Sequence, residues 1–110
     1  MGRGGCLAGN IVIARLIIEE PARGDLATAV RWYKKIRPGL ETDFRLCVRA
    51  TLHRIARHPE AYPLVTSKMH RAFIDRFPFA VFYHSKGDAV HVLGVLHTSR
   101  SPRAWQARDH

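Results

Sequence analysis

Arg71, Arg76, Arg100 and Arg103 fall in the C-terminal part of this sequence together with Tyr83 and His97. Metal-independent cleavage of RNA draws on residues of these types. A base takes the proton from the 2′-OH, cations hold the charge of the in-line phosphorane, and an acid protonates the leaving 5′-oxygen. Arginine can clamp the phosphate, because guanidinium is a planar fork of donors. Histidine is the side chain suited to proton transfer near neutrality, which brings in His97 and His84. The catalytic candidates are therefore Arg76, Tyr83, His97 and Arg100. The candidates for holding nucleic acid or another target are Arg71, Arg76, Arg100 and Arg103. Each has a structural alternative: Tyr83 as a packed aromatic with a wet hydroxyl, His97 as a hydrogen-bonded strand end, and Arg71 and Arg76 as the solvated side of a strand. The types and spacings name no acid–base pair.

These residues must be positioned by the stretch from Arg71 to Pro102. It holds three runs rich in aromatic and β-branched residues, Arg71–Phe77, Phe79–Ser85 and Ala89–Leu96. Pro78 and Lys86-Gly87-Asp88 break them, which predicts a strand meander. A basic segment from His97 to Arg103 leaves the last strand, and Trp105 can pin that segment onto the sheet.

Upstream, Ile11–Glu19 predicts a first strand with apolar side chains on both faces, hence largely covered. Glu20-Pro21 opens a helix, since proline suits the first helical position, and Asp25 favours the positive end of its dipole. Leu26, Ala29, Val30 and Tyr33 share a face. Arg37-Pro38-Gly39 ends this helix, and a second runs from about Leu40 to Arg57, where His58-Pro59 stops it. Its apolar stripe is Phe44, Val48, Leu52 and Ile55, widened by Cys47. Arg45, Arg49, His53 and Arg57 form a basic ridge, read as its solvated face. Two amphipathic helices joined by Pro-Gly form an antiparallel hairpin that needs a partner, and the meander supplies one. The expected fold is α+β, in two layers, with the order β-α-α-β-β-β and the helical hairpin packed on one face of a small, mainly antiparallel sheet. Residues 1–10 read as a flexible leader, 11–105 as a single domain and 106–110 as a tail.

The chain has 110 residues and a net charge of +9, with 14 arginines against 4 lysines. That bias favours an anionic partner. The two cysteines, Cys6 and Cys47, show neither metal nor CxxC spacing, so a reducing cytoplasm is the expected setting. The apolar stretch Ile11–Ile18 is too short to span a bilayer, and no membrane partner is expected. Among the histidines, His53 and His58, or His91 and His97, lack ligand spacing or a supporting Cys/Asp cluster, so no metal is expected. There is no Gly-rich phosphate loop, no nucleophile elbow and no carboxylate pair, and no cofactor is expected.

Several segments resemble the RelE/ParE toxin superfamily of bacterial type II toxin–antitoxin systems. Ala29-Val30-Arg31-Trp32-Tyr33, followed by Arg37-Pro38-Gly39-Leu40, looks like that family's helical hairpin. Arg57-His58-Pro59-Glu60-Ala61-Tyr62-Pro63 looks like its helix exit. Arg71 and Arg76-Phe77-Pro78-Phe79-Ala80-Val81-Phe82-Tyr83 resemble its central strands, and Val92 through Pro102 resembles its "VLxVLHxRRxP" terminus. The likeness runs from about Ile13 to Trp105. The sequence departs at Ser99, where a second arginine is common, at Ser101, where an aspartate is common, and at Glu20, where a serine commonly caps the helix.

The resemblance implies growth inhibition by one of two routes. ParE-like members poison DNA gyrase without being nucleases. RelE-like members cleave mRNA at the ribosome, commonly with lysine, arginine and a C-terminal tyrosine or histidine. This chain has no tyrosine after Tyr83 but carries His110. Either route implies a small, acidic cognate antitoxin that wraps and neutralises the toxin in a hetero-oligomer. The gyrase route is the first expectation and the ribonuclease route the alternative. A non-enzymatic nucleic-acid-binding domain or a degenerate toxin comes third.

Overall fold

Pro38 and Gly39 set the turn around which the helical layer forms. In the computed structural model, which describes residues 13–109, helix α1 spans Glu20–Ile36 and helix α2 spans Leu40–Arg57. Arg37 is extended, as the residue before a proline tends to be. Gly39 takes φ +100°, a region glycine enters without penalty, and caps α2. The Gly39 amide donates to the Glu41 carboxylate at 2.8 Å, satisfying one of the orphan donors at this helix start. At the far end His58 precedes Pro59 and α2 stops at Arg57, as the sequence predicts.

The sheet contains four strands, β1 (Arg15–Ile18), β2 (Met69–Phe73), β3 (Phe79–Lys86) and β4 (Ala89–His97), in the order β1-β4-β3-β2. β2, β3 and β4 pair antiparallel, while β1 lies parallel to β4. The order β-α-α-β-β-β, the two layers and the hairpin on one sheet face are as expected. The expected leader, residues 11 and 12 of the first strand, and His110 lie outside the described residues.

Strand boundaries differ from those expected. β3 and β4 each run one residue further. β1 is only Arg15–Ile18, an edge strand with Arg15 exposed and the rest half-buried rather than a largely covered one. The largest change is at β2. The run Arg71–Phe77 is not one strand: β2 begins at Met69 and ends at Phe73. Residues 74–77 form a turn in which Ile74 and Phe77 are buried, so burial there mimics the apolar pattern of a strand. Arg76 sits in that turn at φ +71°, the one non-glycine residue with positive φ among those described. A short third helix, α3 (Pro102–Gln106), follows the basic segment. Asp25 is not placed to serve the start of α1, lying more than a turn inside the helix, and it is used elsewhere, as described below.

Two apolar cores result. The larger lies between helices and sheet. There Phe44, Ile55, Val81, Tyr83, Val90 and Val92 are fully buried, and Phe44 is ringed by Tyr33, Phe77 and Phe79 at centroid distances of 5.1, 5.2 and 5.2 Å. Leu52 and Cys47, expected in the stripe of α2, are only half-buried; Thr51 and Ala56 are buried instead. Thr51 turns its hydroxyl back to the Cys47 carbonyl at 3.0 Å, which satisfies it inside the core. The smaller core covers the opposite sheet face, where Met69, Ala80, Phe82, Leu93 and Leu96 meet Val65, Ala104 and Trp105. Trp105 stacks on Phe82 at 5.4 Å and so fixes α3 to the sheet.

Candidate functional site

The β4 exit, the 74–77 turn and α3 meet at one end of the sheet. Thr98 donates its amide to the Pro78 carbonyl at 2.8 Å, and the Arg100 amide donates to the His97 carbonyl at 3.0 Å. These bonds turn the chain back over the face opposite the helices. A hollow of about 220 Å³ forms there, with Arg71, His97, Thr98 and Arg100 at its wall and Phe82 and Trp105 among its apolar lining. Arg71, His97 and Arg100 are thus brought together. Arg71 is half-buried, its guanidinium 4.8 Å from the Phe73 ring centroid. Arg100 is exposed.

Three candidates fall outside the hollow. Arg103 is exposed on α3, and Arg76 is exposed in its turn, 6.0 Å from the Phe77 ring centroid. Tyr83 belongs to the helix-side core, fully buried. Its hydroxyl donates to the Pro59 carbonyl at 2.6 Å and its ring stacks on His70 at 4.9 Å. Burial, and then the neighbouring Tyr62 and Glu60, push that hydroxyl's pKa far above its ordinary value, so it stays protonated. Since Phe79 faces His97 across the ladder, Tyr83 lies four positions further along β3, on the order of 13 Å away at about 3.3 Å per residue. His97 itself is exposed. Its Nδ1 accepts the Ser99 amide at 3.0 Å and its ring meets Phe79 edge-on at 5.3 Å. The neutral ring then carries its proton on Nε2.

The residues that hold this end together escaped the sequence reading. β1 pairs with β4 only as far as Val92, so the edge of β4 beyond it has no neighbouring strand. Asp25 and Arg108 take that place. Asp25 Oδ2 accepts the Val95 amide at 2.9 Å, and Arg108 Nη1 donates to the Leu93 carbonyl at 3.1 Å. The two side chains also pair bidentately, at 2.9 and 3.1 Å. Gly94 makes room for them, because a Cβ there would stand 3.0 Å from Arg108 Nη1 and 3.4 Å from Asp25 Oδ2. Next to this pair, His84 Nε2 meets Asp109 Oδ1 at 2.7 Å. The residues after Trp105 are therefore tied to the sheet. One weak signal was legible: Asp25 is an acid in a chain with few of them.

The Asp109 contact has a pH signature. Burial alone raises its carboxyl's pKa, but hydrogen bonds from His84 and Thr66 and the charges of His84 and Lys68 outweigh it, and the pKa is lowered. A lowered folded-state value stabilises the protein above the ordinary carboxylate pKa of about 3.9, and that contribution disappears as pH falls through the folded value. Melting temperature measured from about pH 5 down to about pH 2 is expected to fall more steeply in the wild type than in Asp109→Asn. Parallel profiles would show that this carboxylate is not coupled to folding.

Two grooves flank the helices. One of about 410 Å³ runs between α1 and the β4 end and includes Trp32, which is 59% exposed. The other, of about 420 Å³, lies between α1 and α2, beside Arg45, Arg49 and His53 of the basic ridge. Among the described residues no three histidine, cysteine or acidic side chains gather as a metal site, and no helix is long and apolar enough to cross a membrane.

The fold has a solved counterpart in a chain described as the chromosomal ParDE TA system from P. aeruginosa. The TM-score is 0.69 at 15% identity, over 77% of this chain and 96% of that one. No curated protein matches the chain. The family model described as ParE toxin of type II toxin-antitoxin system, parDE, matches residues 16–102, from β1 to the first residue of α3. That span takes in the hairpin, the meander and the basic exit segment, and on it the chain belongs to the ParE toxin family of type II toxin–antitoxin systems, with an antitoxin as the partner this membership brings.

Proposed function

We propose that this toxin arrests growth by binding DNA gyrase in the cytoplasm, without cutting RNA, and that a small acidic antitoxin neutralises it in a hetero-oligomer. The observation that carries the reading is the separation of the groups that would move protons. Tyr83 commits its hydroxyl to Pro59 inside the helix-side core, while His97 and Arg100 stand at the rim of the sheet. A ribonuclease needs its acid and base on either side of one phosphate. A binding toxin needs only a fixed surface, and the Asp25–Arg108 pair and Trp105 provide the fixing. Membership of the ParE family supports the gyrase target, and the net charge of +9 supports an acidic antitoxin.

The test is a supercoiling assay with purified gyrase. The expected result is inhibition with trapped cleaved DNA, reversed by the antitoxin, while primer extension on translated messages finds them intact. Codon-linked cleavage of messages with gyrase unaffected would overturn the reading in favour of the RelE-like alternative, which the company of His97 and Arg100 in one hollow keeps chemically open.

A further inference from the structure

We propose that the hollow between β2, the β4 exit and α3 binds a phosphodiester of a single DNA strand, held by Arg71 and Arg100, with the neighbouring base against Phe73. The proposal begins with an unpaired donor. Arg71 Nε is the one buried side-chain nitrogen or oxygen among the described residues with no hydrogen-bond partner. A buried guanidinium N–H without an acceptor is costly, and such groups are rare in folded proteins unless a ligand, ion or water serves them. Neither Arg71 nor Arg100 forms an ion pair among the described residues, whereas Arg15, Arg54 and Arg108 each have an aspartate. No carboxylate lines the hollow. Two uncompensated cations therefore share a cavity whose floor, Ala80, Phe82 and Trp105, is apolar and strengthens their field.

The ligand class follows from shape and surroundings. The guanidinium fork suits phosphate, and the ring of Phe73 under Arg71 limits how that fork can turn. At about 220 Å³ the hollow takes a phosphate with part of its sugar and leaves the base outside. Phe73 stands at that mouth, 54% exposed, and an exposed aromatic ring beside a basic pocket is how single strands are held without regard to sequence. A carboxylate fits the arginines equally well but gives Phe73 nothing to do. DNA is chosen because gyrase works on it, so that choice rests on the proposed function; the phosphodiester site does not.

Fluorescence anisotropy of a labelled oligothymidylate, titrated with the full chain free of antitoxin and of gyrase, tests the site. Arg100→Ala and Arg71→Lys are each expected to weaken binding about tenfold, and Arg100→Ala to lower the slope of log affinity against log salt by about 1. Arg45→Ala with Arg49→Ala removes two charges from α2 and is expected to change affinity by less than about threefold. An equal loss in that control would reduce the binding to general charge and overturn the proposal. So would displacement of the oligonucleotide by polyglutamate at concentrations where inorganic phosphate is without effect, which would make the hollow a site for an acidic peptide. Melting curves for each variant separate loss of binding from loss of fold. Because no gyrase is present, failure here leaves the supercoiling result standing, and failure there leaves this one.

Discussion

Phe44→Ala is expected to lower the stability of the fold by about 3–5 kcal/mol. Phe44 has no exposed surface and makes three aromatic contacts within 5.2 Å, to Tyr33 from α1, to Phe77 from the turn after β2, and to Phe79 from β3. Truncation loses the transfer free energy of the ring and leaves a void bounded by three elements that cannot collapse together. For a domain of this size the loss corresponds to a melting temperature lower by about 12–30 °C. Thermal unfolding followed by circular dichroism reads it directly. Leu52→Ala offers the contrast: its side chain lies in the α1–α2 groove, half-buried, and the cost falls to about 1–2 kcal/mol. Equal losses at the two positions would mean that the helix layer packs differently from the arrangement described.

Asp25→Ala comes next, at about 2–3 kcal/mol. Removing one partner of a buried ion pair costs about 3–5 kcal/mol because the other is left uncompensated. The Asp25 and Arg108 side chains are 15% and 24% exposed, so water softens the loss. The variant also strips the acceptor from the Val95 amide, an effect that a simple salt-bridge count misses. The cycle of Asp25→Ala, Arg108→Ala and the double variant separates these parts. The double variant is expected to lose clearly less than the sum of the single losses, by about 1 kcal/mol or more. Urea denaturation supplies the numbers, and strict additivity would show that the two side chains do not act as one unit.

The contrast between these two residues shows what was legible beforehand. Phe44 belongs to a helical stripe whose period is visible in sequence, and both ends of α2 are written in Pro38-Gly39 and His58-Pro59. Such signals act over a few residues. Asp25 and Arg108 are 83 positions apart, and nothing local joins them. In the sequence, the only visible neighbour for Asp25 is the helix dipole, which hides its partnership with Arg108 and the Val95 amide. The turn at 74–77 was hidden for another reason: Ile74 and Phe77 are buried there as they would be in a strand, so the apolar pattern carries no mark of the break. The candidate site divides the same way. Arg71, His97 and Arg100 meet where the meander's exit suggested. For Tyr83, which sheet face its ring occupies decides its chemistry, and that depends on the pairing of β3 with β4 and its irregularity at Phe82/Tyr83.

The short partnership of β1 with β4 also has a consequence for the order in which the protein can be completed. β1 must wait for Ala89–Val92 before it has a parallel neighbour, and the rest of that edge waits for Arg108. At about 5–20 residues per second, synthesis needs roughly 4–17 s to travel from Asp25 to Arg108. The helical hairpin is complete in sequence only once Arg57 has been added, and from then until Arg108 the nascent toxin has no closed sheet edge and the basic hollow is still being built. The cell that makes this protein therefore has a window of several seconds per chain in which the toxin is present but unfinished.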